Sequence, residues 1–360
     1  FVFANNNQSS SAGSANYPSN SMIGSDIYFD TSFINSKFAD GSYAALTLIH
    51  EIGHALGLEH PFSYAQAGGG SVSDPPHLTG AEDSTAWTVM SYEDSSAQYY
   101  MSFSPLDLAA LQYIYGPSQK ARTGNDIYQV SSAAPNFFWD GAGTDMIDLT
   151  DVNQGATVYL TPGYWSFVGS QQSSTITSAG QMTINFGSVI ENLTGSSFAD
   201  KLYGNDADNM IVGGLGNDWL EGLKGSDVLQ GGQGDDQLNG GEGIDTAQFA
   251  GSFANYMTSS QKSGFVVSDK LSNGEGMDVL THIERLKFSD KSVAIDLDGH
   301  AGIAVKVIGA VLGKDAVKNP GLVGIGLSYL DNDLSYSDLG LLALTAVGAT
   351  SNDAIVSKLW

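Results

Sequence analysis

Half of the six histidines in this chain fall in one eleven-residue stretch, HEIGHALGLEH at residues 50–60. On a helix His50 and His54 are four apart and share a face, so both imidazoles can reach one ion. His60 cannot join them if the helix continues. It would lie about 9 Å farther along the axis than His54, whereas zinc–nitrogen distances are only about 2.0–2.1 Å. The chain must therefore stop and fold back after His54. Gly57 is placed for that turn, because glycine tolerates the left-handed conformation that ends helices. Glu51 follows the first histidine, where its carboxylate can take a proton from a water on the metal. Three protein nitrogens leave zinc one open position, as in a catalytic rather than a structural site. A surface helix with chance histidines is the competing reading, and the fixed places of Glu51 and Gly57 count against it.

The elements that must hold these residues are legible around them. Ala44, Ala45, Leu48, Ile49 and Ile52 recur at helical spacing and predict a helix from about Tyr43 to Leu56. A second helix is predicted from Ser104-Pro105, with serine as cap and proline at the first helical position, ending at Gly116-Pro117. The long Gly/Ser/Pro-rich loop between the two suggests a functional site. FVFA, ANYPS and SDIYFD read as short strands.

From about residue 119 to 298 the chain alternates strand-like runs with Gly and Asp. Gly195, Gly204, Gly213, Gly222, Gly231 and Gly240 recur every nine residues. The sixth positions are Asp200, Asn209, Asp218, Asp227, Asp236 and Asp245. The eighth positions are Leu202, Ile211, Leu220, Leu229, Leu238 and Ala247. Each unit is a Gly-rich turn and a short strand, so two units make one 18-residue coil with the eighth position inward. Asp200, Asp218 and Asp236 then line one edge, and Asp227 and Asp245 the other. Stacked carboxylates repel, and Ca²⁺ between successive turns would use them as hard oxygen ligands beside backbone carbonyls. The candidate calcium positions are Gly195, Asp200, Gly204, Gly213, Gly214, Gly216, Asp218, Gly222, Gly225, Asp227, Gly231, Gly232, Gly234, Asp236, Gly240, Gly241, Gly243 and Asp245. Asn209 predicts a weak or absent site in its unit. The turn DGAGTDMID at 140–148 could hold another ion through Asp145. A flexible linker is the competing reading, but a linker needs no apolar residue at every ninth position.

Fourteen Lys+Arg against 39 Asp+Glu give a net charge of −25, which argues against nucleic-acid or anionic-membrane partners. There is no cysteine, so an extracellular chain needs a staple other than disulfides, and bound metal is the obvious candidate. No apolar run approaches the roughly 20 residues of a membrane span. Residues 299–360 are Ala/Leu/Val/Gly-rich and read as several short helices. The first residue is Phe1, with no signal peptide, and the final DAIVSKLW stops in what reads as mid-helix, so both ends are expected to be trimmed. His77, His282 and His300 are expected to be surface or hydrogen-bonded residues.

HExxHxxGxxH is the signature of the metzincin metalloproteases, and TVMSYED supplies their methionine turn at Met90. With Pro61 after the third histidine, the SPLDLAALQYIYG helix and the nonapeptide repeat, residues 1 to about 298 resemble the serralysins. The resemblance implies His50, His54 and His60 as zinc ligands, Glu51 as general base and Met90 as the floor of the site. Tyr92 would be a further zinc ligand that swings off when substrate binds and steadies the tetrahedral intermediate. It also implies protein or peptide substrates, and secretion from a Gram-negative bacterium by a one-step ABC-type (type I) machinery. The family's catalytic domain has a helix and strands before the one FVFA resembles, so an N-terminal segment of the same enzyme is an expected partner. ANYPS would be the cleft-edge strand and SDIYFD its neighbour.

The expected fold is α+β, in three parts: a metzincin-like catalytic domain over 1–118, a calcium-binding domain of parallel β-roll and β-sandwich over 119–298 and a small helical module over 299–360. The leading function is a secreted zinc-dependent endopeptidase stabilised by calcium. The alternative is a calcium-dependent extracellular binding or adhesion protein with an inactive protease-like domain, against which the complete ligand set and Glu51 stand.

Overall fold

The computed structural model describes residues 2–8, 11–21, 24–33, 38–39, 41–62, 77–93, 101–262, 264–271, 274–349 and 351–359. Among them are six α-helices and many short strands, a mixed helix-and-strand fold. The chain forms two compact units, one of residues 1–145 with 162–190, the other of 146–161 with 191–360.

The first unit opens with a three-stranded sheet of β1 (Phe3–Asn6), β2 (Gly13–Ala15) and β3 (Ile27–Asp30). β3 lies between the others, parallel to β1 and antiparallel to β2. The edge strand therefore ends at Ala15, and ANYPS is not itself the strand. Pro18 offers no backbone donor for a ladder, which suits a segment beyond the strand's end. Helix α1 (Tyr43–Ala55) starts where the Ser42 hydroxyl accepts the Ala45 N–H. It buries Ile49 with Leu58, Val89 and Met90 on one side, and packs Leu48 and Ile52 against Ile27 and Phe29 on the other. It ends as the sequence requires: Gly57 takes φ +102° and the Leu58 N–H donates to the Gly53 carbonyl. Helix α2 (Pro105–Tyr115) follows the serine cap and stops at Gly116.

In the second unit two ladders of parallel strands carry the repeat. In one, Asn192, Met210, Val228 and Thr246 pair in turn. In the other, Lys201, Trp219 and Gln237 do. Each step is 18 residues, the two-unit coil that the nine-residue period predicts. Leu202, Ile211, Leu220, Leu229, Leu238 and Ala247 are all buried to 1% exposure or less, facing inward as the eighth position should. The period then breaks. Val279 pairs with Gln237 and Arg285 with Thr246, after an antiparallel hairpin of Tyr256–Gln261 and Gly264–Asp269. The chain closes with α3 (His300–Leu312), α4 (Pro320–Asp331), α5 (Tyr336–Ala346) and α6 (Asn352–Leu359). Ala304, Val307, Leu330 and Leu339 form a small core among α3, α4 and α5. Arg285 reaches Asp331 and Asp296, each at 2.6 Å, and ties that module to the last parallel strand.

Candidate metal centre and catalytic cleft

His50 and His54 leave α1 one turn apart, and the reversal at Gly57 returns His60 to them. The His60 Nε2 lies 3.2 Å from that of His50 and 3.3 Å from that of His54. For metal–nitrogen bonds of about 2.0–2.1 Å, the edge of a tetrahedron is about 3.3–3.4 Å, so the spacing suits one shared ion. The far nitrogens are tied down. His50 Nδ1 donates to the Val89 carbonyl and His54 Nδ1 to the Leu58 carbonyl, both at 2.8 Å. A carbonyl only accepts, so these rings keep their Nε2 lone pairs for the centre. Burial, with the neighbouring His54, holds His50 down to about 4, and burial with His54 and His50 holds His60 down to about 3. Burial lowers His54 as well. All three are neutral at ordinary pH, the form that binds metal. The residues present fit zinc, a cation with nitrogen-ligand chemistry.

The Met90 turn packs against α1, with Ile49, Leu58 and Val89 in one buried cluster. A Cβ on Gly53 would fall 2.5 Å from the Met90 sulfur, so glycine there is what lets the methionine approach α1. Asp107, buried on α2, accepts from the Thr88 hydroxyl at 2.6 Å and the Val89 N–H at 2.8 Å. The carbonyl of the same residue, Val89, accepts from His50, so α2 braces a proposed ligand through the turn. Sequence reading missed Asp107, whose only local sign is its place at the third position of α2 after the serine cap.

Glu51 lies on the cleft side of α1. Its Oε2 is buried with no hydrogen-bond partner among the described residues, and burial pushes the carboxyl up to about 7. The Tyr92 ring stacks on His50 at 5.8 Å and meets His60 edge-on at 4.7 Å, while remaining 58% exposed. A cleft of about 540 Å³ brings Gly13, Tyr43, Thr47, His50, Glu51 and Tyr92 to one surface. Much of the long loop between α1 and α2 lies outside the described residues. In the second unit His282 and His300 are hydrogen-bonded to Asn239 and Asp331.

The aspartates of the repeat form two rows. The Asp200 N–H donates to Asp218 Oδ1 and the Asp218 N–H to Asp236 Oδ1, each at 2.8 Å. On the other edge Asn209 donates to Asp227 at 2.7 Å and Asp227 to Asp245 at 2.9 Å. One oxygen of each acid is thereby used. The Oδ2 atoms of Asp218, Asp227, Asp236 and Asp245 are buried with no partner among the described residues. Each points back at the first glycine of its own unit, and a Cβ on Gly213, Gly222, Gly231 or Gly240 would fall 2.0–2.4 Å from it. The glycines of the repeat thus make room for these oxygens. Buried, unpaired carboxylate oxygens are costly, and hard cations are the natural partners for them. Asn209 differs: it carries no charge, its Oδ1 accepts the Asn205 N–H, and its amide donates to the Glu191 and Asn205 oxygens.

Asp126, Asp140 and Asp145 form a further group, with ligand atoms within 4.8 Å of one another. Asp140 Oδ2 is buried without a partner among the described residues. Asp126 escaped the sequence reading because it stands 19 residues before Asp145, off the 18-residue step.

Known families match both regions of the chain. The pregnancy-associated plasma protein-A peptidase family matches residues 2–109. The RTX calcium-binding nonapeptide repeat matches 187–220 and 212–247. Serralysin of Proteus mirabilis is 33% identical over 223 residues, covering 54% of this chain and 43% of that protein. Metalloprotease AprA of Pseudomonas entomophila (strain L48) is 34% identical over 198 residues, covering 48% and 39%. Serralysin B of Dickeya chrysanthemi is 31% identical over 210 residues, covering 52% and 42%. The chain is thus similar to serralysins over about half its length, and its nonapeptides match the RTX repeat. It spans about two-fifths of the length of each of these relatives. In the serralysin-like chain the peptidase match contains the three histidines, Glu51, Met90 and Tyr92, and the repeat match contains both aspartate rows.

Proposed function

We propose that this chain carries the zinc centre and calcium-binding region of a secreted endopeptidase that hydrolyses peptide bonds of proteins. The convergence of His50, His54 and His60, with His50 and Glu51 lining one cleft, carries the reading. Zinc held by the three histidines, with Tyr92 as a further ligand, would supply the Lewis acid that polarises the scissile carbonyl. Glu51 takes the proton of the attacking water and passes it to the leaving amine. With substrate bound, the Tyr92 hydroxyl would donate to the developing oxyanion instead of serving as a ligand. Met90 floors the site.

Residues 1–118 act as a metzincin-like catalytic domain, completed by an N-terminal segment of the same enzyme. Residues 119–298 form a β-roll whose aspartate rows bind Ca²⁺, and 299–360 a helical module. Folding on calcium suits export in an unfolded state by a type I machinery from a Gram-negative cell. Casein hydrolysis is the direct test. Activity should disappear with a zinc chelator and return with zinc; hydrolysis indifferent to the chelator, or absent from the enzyme joined to its N-terminal segment, would overturn the reading.

A further inference from the structure

The matched repeat ends at residue 247, yet the stack it builds goes on. After the hairpin of Tyr256–Gln261 and Gly264–Asp269, the sequence NGEGMDVLT at 273–281 places Gly274, Gly276, Asp278 and Leu280 at the second, fourth, sixth and eighth positions of a nonapeptide unit. The structure treats it as one. Leu280 pairs with Leu238 as Leu238 pairs with Leu220, and it is as buried as they are. A Cβ on Gly276 would fall 2.0 Å from the Gly234 carbonyl oxygen, as one on Gly234 would fall 1.7 Å from that of Gly216. The Asp236 N–H donates to Asp278 Oδ1 at 3.1 Å, continuing the rungs at Asp200 and Asp218. Only the spacing differs, 42 residues in place of 18.

We propose that Asp236 and Asp278 form a further calcium site, in which a degenerate unit resumes the array across an inserted hairpin. Asp236 is 1% exposed, and its Oδ2 points into the Gly231–Asp236 turn with no partner among the described residues. Asp278, 2% exposed, brings a second buried carboxylate to the same edge. Paired carboxylates among backbone carbonyls form a hard-oxygen donor set, which favours Ca²⁺ over softer metals. An ion here joins chain segments 42 residues apart, so it staples the hairpin between them to the stack, where ions inside the regular run join only neighbouring coils. The inference rests on the repeat being calcium-binding, and the experiment separates the two.

Bound calcium per chain is counted by atomic emission for the full chain and for Asp278→Asn after dialysis at one free-calcium concentration. Asparagine keeps the acceptor for the Asp236 N–H but loses the charge. One fewer ion in Asp278→Asn, with the ladder signal in circular dichroism unchanged, supports the site. Equal counts in two calcium-binding proteins overturn the site and leave the repeat reading standing; no calcium on the parent overturns both. Should Asp278→Asn not fold, trypsin cleavage of the parent at Lys262 and Lys270 reads the same staple. Protection that rises at least tenfold with calcium supports it, and cleavage independent of calcium overturns it.

Discussion

At the scale of single residues, the cleft joins a carboxylate with an unspent buried oxygen to three neutral imidazoles. Glu51 touches no metal ligand position in the proposed mechanism; it moves a proton. Glu51→Ala should therefore retain zinc at the parent's stoichiometry while kcat falls by about 100- to 10,000-fold, the usual range for a general base. Metal analysis beside steady-state kinetics checks both halves, and activity within tenfold of the parent would remove Glu51 from the mechanism. Tyr92 stands half out of the site against His50 and His60, and in the proposed mechanism its hydroxyl donates to the oxyanion. Tyr92→Phe should lower kcat by about a hundredfold with little change in KM, because the bond is made mainly in the transition state. An unchanged kcat would show that the ring packs and nothing more.

At the scale of elements, the aspartate rows make stability depend on pH in a way that calcium should reverse. Without the ion, burial pushes Asp218 up to about 8, Asp227 to about 7, and Asp236 and Asp245 to about 6, against an ordinary value of 3.8. Between 3.8 and about 8 the folded chain thus holds more protons than the unfolded one. Stability is then highest at the acid end of that window and is lost as pH rises through the folded values. The melting temperature of calcium-free protein should fall steadily from pH 5 to pH 9. With millimolar calcium the fall should vanish, since the ion takes the place of the protons. A calcium-free melting temperature that is flat or rises with pH would contradict the buried rows. Element order also explains the metal centre: α1 supplies two imidazoles, its glycine-ended terminus returns the third, and α2 steadies the Met90 turn through Asp107.

At the scale of the whole molecule, the zinc centre draws on residues 50–107 of the first unit, and the helical module has its own small core in the second. Removing 299–360 cuts the Arg285–Asp331 pair but touches none of the proposed zinc ligands. In the enzyme joined to its N-terminal segment, the deletion should leave kcat/KM on a short peptide within about twofold, a change of only about 0.4 kcal/mol in transition-state stabilisation. Complete loss of cleavage would place the module in the catalytic machinery.

The sequence by itself determined what depends on local spacing. The four-residue step of His50 and His54, the turn at Gly57 and the nine-residue period of Gly, Asp and apolar positions each follow from the geometry of one helix or one coil, so they are legible from a short window. Only the tertiary structure decided what depends on remote segments meeting. Asp107 braces His50 through Val89 from the next helix, Asp126 joins Asp140 and Asp145, and Asp278 continues a row after a hairpin has broken its period. The edge strand, too, ends at Ala15 rather than running through ANYPS. A period survives in sequence only while nothing is inserted between its units; a hydrogen-bonded stack needs only that each new strand find the last, whatever chain lies between.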